Sequence, residues 1–112
     1  MIARLWSART TPQLSSAYLE YFEQHVLPEL RAVPGYVSAQ VLTSPAGPNI
    51  TDARDTHVEI LVLTVWQSLD AITAFAGPDR ESAVVHPAAA ALLTDYDHRV
   101  RHFAAALSDL SK

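Results

Sequence analysis

Two hydrophobic rhythms alternate along the chain, and the points where one gives way to the other predict its elements. Residues 2 to 8, IARLWSA, are short and mostly apolar and read as a first strand. From Thr11 the period changes. Thr11 suits a helix N-cap, and Pro12 suits the first helical position, where a missing N–H costs nothing. Leu14, Ala17, Tyr18, Tyr21, Phe22 and His25 then recur at three- and four-residue intervals, which predicts a helix with one broad apolar face. Pro28 is expected to kink or restart that helix, because its ring clashes with the preceding turn. Pro34-Gly35 ends the helical region, and YVSAQVLT (36–43) alternates as a second strand.

A polar stretch, SPAGPNITDARD, predicts a long loop after that strand. Its Asn49-Ile50-Thr51 is a glycosylation acceptor only in a secreted protein and is set aside. HVEILVLTVW (57–66) is the most strand-like run, apolar on both of its alternating faces after His57. Ser68 caps a helix, LDAITAFA, that Gly77 stops. PDRESAVV (78–85) favours no element. Pro87 opens a short helix over PAAAALLTDY, and HRVRHFAAA closes the chain as a last alternating strand.

The resulting order, β-α-β-β-α-β with a helical insertion before the last strand, is that of a ferredoxin-like split βαβ fold. This is an α+β class: one antiparallel sheet with its helices on one side, formed by residues 1–112 as a single domain. The third strand's second apolar face then needs a cover. A second copy of the chain, its sheet packed against this one, is the simplest supplier, so a homodimer is expected.

Composition narrows the function classes. Apolar residues make up 49% of the 112 and charged residues 18%, an apolar excess that also favours a subunit interface. Net charge is −4 and the eight basic residues are scattered, so nucleic acid is not an expected partner. Cysteine is absent, which removes disulfides and thiolate chemistry. No run reaches membrane-spanning length, and a soluble cytoplasmic protein is the expectation.

VLTVWQSLDAITAFAG followed by AVVHPAAAALLTDYDHRVRHF, with RLW in the first strand and VPGY before the second, resembles the antibiotic biosynthesis monooxygenase-like family of dimeric α/β barrels. The resemblance spans nearly the whole chain and implies the dimeric barrel. It also implies a choice of chemistries: cofactor-free oxygenation of aromatic polyketides, haem degradation, or isomerase-like reactions. Haem-degrading members carry an asparagine on the first strand, a tryptophan ending the third and an iron-ligating histidine on the second helix. Trp66 matches, but the first strand lacks an asparagine and Leu69 to Ala76 lack a histidine. Polyketide-oxidising members carry an asparagine four residues before that tryptophan, a tyrosine six after it and an arginine further on. Here those positions are Val62, Ile72 and, at or near the third, His86.

Cofactor-free oxygenation asks for an apolar box and one base near neutrality. Trp6, Tyr18, Phe22, Tyr36, Trp66, Phe75 and Tyr96 are the candidate box, although Phe22 and Phe75, which have no polar tip, suit plain core better. Among the histidines, the side chains with pKa nearest neutral, His25 lies on the apolar face of the first helix. His57 follows a polar loop. His86 is made extended by Pro87. His98 and His102 are four apart. On a helix they would converge on a metal, but on a strand they stand about 13 Å apart, too far for one ion. His102 also matches a histidine near the family's C-terminus, whereas Asp95 and Asp97 suit a turn.

The expectation is therefore a cofactor-independent monooxygenase acting on an aromatic or polyketide-like molecule, with no cofactor and no metal. His86 and His102 are the candidate catalytic residues. Trp6, Tyr18, Phe22, His25, Tyr36, Trp66 and Tyr96 are the candidate substrate-binding ones. The alternative is a non-oxygenase of the same fold, a small-molecule binder or a cyclase- or isomerase-type helper; haem degradation ranks lower.

Overall fold

The structure is a computed structural model that describes residues 1–44 and 57–109. The predicted loop beyond Ser44 and its Asn49-Ile50-Thr51 acceptor lie outside the described residues. The strands are β1 (Ile2–Thr10), β2 (Tyr36–Thr43), β3 (Val58–Trp66), β4 (Asp95–Tyr96) and β5 (Arg101–Ala104). The helices are α1 (Pro12–Tyr21), α2 (Leu27–Arg31), α3 (Leu69–Ala76) and α4 (Pro87–Ala90). The sheet is antiparallel in the order β2-β3-β1, and β4 and β5 both pair with the free edge of β1. This is the α+β ferredoxin-like arrangement expected from the order of elements.

Alternation decides what each sheet face meets. Ala8, Thr10, Val58, Ile60, Val62, Thr64 and Trp66 are buried on the face that carries the helices. Of the intervening residues of β1 and β3, which lie on the opposite face, Leu5, Leu61, Leu63 and Val65 are only half-buried. On the strands that flank them, Leu42 and Phe103 are 45% and 43% exposed. No described helix covers this second face.

The helix restarts at Pro28, as its ring requires. A π-helical turn, Phe22–Val26, joins α1 to α2, and the Leu27 N–H reaches back five residues to the Phe22 carbonyl. Pro28 follows at the start of α2, where the irregular turn before it relieves the ring's clash. The wider turn also sets the buried face. Tyr18, Phe22, Val26 and Leu30 lie four apart, a spacing that drifts about 40° per step in a 3.6-residue helix. A slower-winding π turn takes that drift back, so all four meet the sheet.

The last third departs from the predicted elements. α4 stops at Ala90, because the Leu92 and Leu93 N–H groups tighten to i−3 carbonyls and the Leu92 carbonyl accepts from the Thr10 hydroxyl at 2.6 Å. The last strand is split in two. Tyr96 pairs with Ala8 and Arg101 with Leu5, five steps on one strand against three on the other. The two extra residues bulge outward and pair with residues 81–83, with Val100 N–H donating to the Glu81 carbonyl at 2.7 Å and Ala83 N–H to the His98 carbonyl at 2.9 Å. His98 and His102 therefore do not share one continuous strand.

Gly35 closes the turn into β2 with φ of 92°. A Cβ there would stand 2.6 Å from the Ala71 Cβ of α3, and its carbonyl accepts from the Gln67 N–H at 2.8 Å. Gly35→Ala is expected to destabilise the fold by about 2 kcal/mol or more, since it combines backbone strain with overpacking. Urea unfolding would register this as a lower midpoint; an unchanged midpoint would refute the close approach of turn and helix.

Candidate functional site

The helical arm stands off the sheet far enough to leave a cavity that is partly open to solvent. Trp6 of β1, Tyr18 of α1, Phe22 of the π turn and Phe75 of α3 supply aromatic walls. Val62, Val85 and Val100 add apolar ones, and the polar lining comes from Arg4, Thr64, Glu29 and His86. Such a lining, mostly apolar with a few convergent polar groups, is that of a small-molecule site. The Trp6 indole N–H donates to the Asp97 carbonyl at 2.7 Å, and its ring lies between Tyr18 and Tyr96 at 6.4 and 6.2 Å between centroids. Burial pushes the Tyr18 phenol well above its ordinary range, so it stays a neutral wall at any physiological pH.

Arg4 was not among the sequence candidates, yet it is the most constrained polar group of the cavity. Strand alternation places it on the helix-covered face, opposite Thr64 on β3 and His102 on β5. Its Nη1 donates to the Arg80 carbonyl and meets His102 Nε2 at 3.0 Å, and its Nη2 donates to the Ser82 carbonyl at 2.9 Å. The guanidinium also lies 5.8 Å from the centre of the Phe75 ring. Desolvation lowers its pKa from 12.5 to about 10, which leaves it charged at neutral pH. The available signal was positional: a lone arginine at an inward position of the first strand.

His86 is the histidine that lines the cavity. Pro87 holds its backbone extended (φ −72°, ψ 151°) at the N-cap of α4, and its Nε2 is 3.1 Å from a carboxylate oxygen of Glu29 on α2. Both side chains are 47% exposed, which places the pair at the rim. A carboxylate on one ring nitrogen fixes the tautomer and leaves the other nitrogen as the basic one.

The remaining candidates fall elsewhere. His25 is exposed and stacks on Tyr21 at 4.9 Å, because the π turn carries it off the buried stripe. Trp66 is fully buried, its indole N–H on the Thr64 hydroxyl at 2.8 Å, with Tyr36 packed edge-on at 5.6 Å. Both belong to the core beneath α3 and not to the cavity lining. Tyr96 backs Trp6 from outside the cavity, and His98 stacks on Tyr96 at 5.0 Å. His102 reaches the cavity only through Arg4, because it sits on the outer edge strand. Of the family positions compared above, Val62 and His86 line the cavity, while Ile72, like Trp66, is core. Among the described residues no three His, Asp or Glu side chains cluster to hold a metal. No described helix is long and apolar enough to cross a membrane.

An antiparallel sheet backed by a helical arm, with an aromatic cavity between them, defines the class as α+β proteins on a ferredoxin-like frame. The sequence model of the antibiotic biosynthesis monooxygenase family matches residues 1–86, and the chain belongs to that family. The fold is similar to that of the ActVA-Orf6 monooxygenase of Streptomyces coelicolor in complex with nanaomycin D (TM-score 0.65, 18% identity, 99% of this chain and 92% of that one). It is similar also to MhuD with two manganese protoporphyrin IX molecules bound per active site (TM-score 0.58, 19% identity, 99% and 100%). A third similar structure is an antibiotic biosynthesis monooxygenase, so assigned, of Deinococcus radiodurans (TM-score 0.59, 13% identity, 100% and 99%). At these identities the likeness establishes the ferredoxin-like α+β fold of the chain and leaves chemistry to the residues. No curated protein matches the sequence.

Burial, and then the Arg4 charge, hold the His102 imidazole below its ordinary pKa of 6.5. Its folded value thus lies below its unfolded one. Above that unfolded value it has no effect on stability. As pH falls below it the unfolded chain takes up the proton first, and stability is lost until the folded ring protonates as well. Stability of the wild type is therefore expected to fall as pH drops below about 6.5, and less steeply in His102→Gln. Urea midpoints across that range check this; equal slopes would contradict it.

Proposed function

We propose that the protein is a cofactor-independent monooxygenase acting on an aromatic or polyketide-like small molecule. The observation that carries this reading is the cavity itself: aromatic walls from Trp6, Tyr18, Phe22 and Phe75, with a histidine–carboxylate pair, His86 and Glu29, at its rim. The walls suit a planar ligand. The pair suits proton removal from a ring carbon or hydroxyl, which is the step that such chemistry needs from a protein.

In the proposed reaction His86 takes a proton from an activated ring CH2, leaving a carbanion conjugated with the aromatic system. The carbanion reduces O2 directly and combines with it as a hydroperoxide. Loss of water then leaves a ring carbonyl. One oxygen atom enters the product and the other leaves as water, with all four electrons drawn from the substrate, so no external reductant is required. Haem would find no axial histidine on α3, and His86 Nε2 is already engaged by Glu29.

Dimerisation through the open sheet face belongs to the same reading. Leu61, Leu63 and Val65 of β3 and Leu5 of β1 form one half-buried apolar strip, and Phe103 and Leu42 extend it. A second sheet packed there would bury it. Leu63→Lys is expected to convert a dimer to monomer in sedimentation velocity; a monomeric wild type would contradict this part.

For the chemistry, anthrone in aerated buffer serves as substrate and anthraquinone formation as the readout. Wild type should accelerate the reaction, and His86→Ala should lower kcat by about 100-fold or more. Equal rates in wild type and variant would remove His86 from the mechanism, and no acceleration over buffer by the wild type would remove the oxygenase.

A further inference from the structure

We infer that the cavity is built for an aromatic carboxylate, with Arg4 receiving its two oxygens and His102 acting as the positioning residue that holds Arg4 in place. The inference rests on the aromatic-ligand reading above and adds an anionic group to the ligand.

The first argument is one of charge. Arg4 is only 5% exposed and lines the cavity, yet its three hydrogen-bond partners, the Arg80 and Ser82 carbonyls and His102, are all neutral acceptors. The ion pairs that arginines form among the described residues belong to Arg9, with Asp95 and Asp97, and to Arg99, with Asp79. No carboxylate among the described residues meets Arg4. A buried cation without a counter-charge is costly to keep, and a ligand anion supplies the missing charge.

The second argument is one of donor geometry. A guanidinium has five N–H donors. Both on Arg4 Nη1 and one on Nη2 are engaged by those three partners. The two that remain, one on Nε and one on Nη2, have no acceptor among the described residues. They sit on adjacent nitrogens of a planar fork, the arrangement that meets both oxygens of a carboxylate. The Phe75 ring at 5.8 Å braces the fork on one side, and Trp6 shares the cavity from the same strand.

His102 completes the device without entering the cavity. Because Nη1 can only donate, His102 Nε2 must accept, so the ring is neutral with its proton on Nδ1. Replacing His102 therefore leaves the cavity walls intact and frees one edge of the guanidinium.

Titration calorimetry at neutral pH tests this with two probes of one shape, naphthoate and naphthylmethanol. The wild type is expected to bind naphthoate about tenfold more tightly or better, the worth of a charge-assisted pair. Arg4→Met should bind both probes alike while keeping its affinity for the alcohol. His102→Leu should shrink the preference, and His102→Gln, which still offers an acceptor, should restore it. If the wild type binds the two probes equally, the carboxylate assignment falls and the aromatic cavity stands. If it binds neither, both fall. A preference retained in Arg4→Met overturns the role of Arg4. Should that variant fold poorly, an unchanged preference in His102→Leu, which lies on the edge strand, overturns the positioning role.

Discussion

An arginine on the inner face of a sheet has to be answered by acceptors, and Arg4 organises this molecule by being answered. Its guanidinium gathers the Arg80 and Ser82 carbonyls and the His102 ring, so one side chain of β1 ties together the segment after α3 and the edge strand β5. That segment is short of regular structure of its own. Held by Arg4 and by its bridge to residues 98–100, it runs across the sheet and delivers Val84, Val85 and His86 to the cavity.

The opposite wall depends on a different constraint. A proline in a helical arm normally costs about 3 kcal/mol or more, and here a π turn just before Pro28 accommodates it. The same turn brings Tyr18, Phe22, Val26 and Leu30 onto one line, which lets two successive short helices behave as one wall. His25 is the residue that loses its place in the stripe, and it ends on the surface against Tyr21.

The element order, the strand alternation and the helix caps at Thr11 and Ser68 were all legible in the sequence, because each rests on local physics. Thr11 and Ser68 accept from the Leu14 and Ala71 N–H groups as cap chemistry requires. The site was less legible. Seven aromatic positions satisfied the same pattern, and only position along the helix-covered face separates Trp6, which lines the cavity, from Trp66, which is packed shut beneath α3. The bulge between β4 and β5 could not be read from HRVRHFAAA, since its two surplus residues are paid for by hydrogen bonds to residues distant in sequence. Arg4 escaped notice for a related reason: an arginine in a strand reads as solvated until its neighbours are known.

Within the antibiotic biosynthesis monooxygenase family, then, this chain keeps the frame but not the polar set of its polyketide-oxidising relatives. Val62 and Ile72 stand where the family resemblance puts hydrogen-bonding side chains, and the polar groups of its cavity come from Arg4, Thr64, Glu29 and His86 instead. The account stands or falls on whether that different set still directs O2 to an aromatic carbon. Turnover of anthrone by the purified, colourless protein under isotopically heavy O2 measures this most directly. The account predicts one heavy oxygen in each quinone formed, with one O2 consumed per product. A product labelled from water, a rate no greater than in buffer, or a Soret or flavin band in the active protein would contradict it.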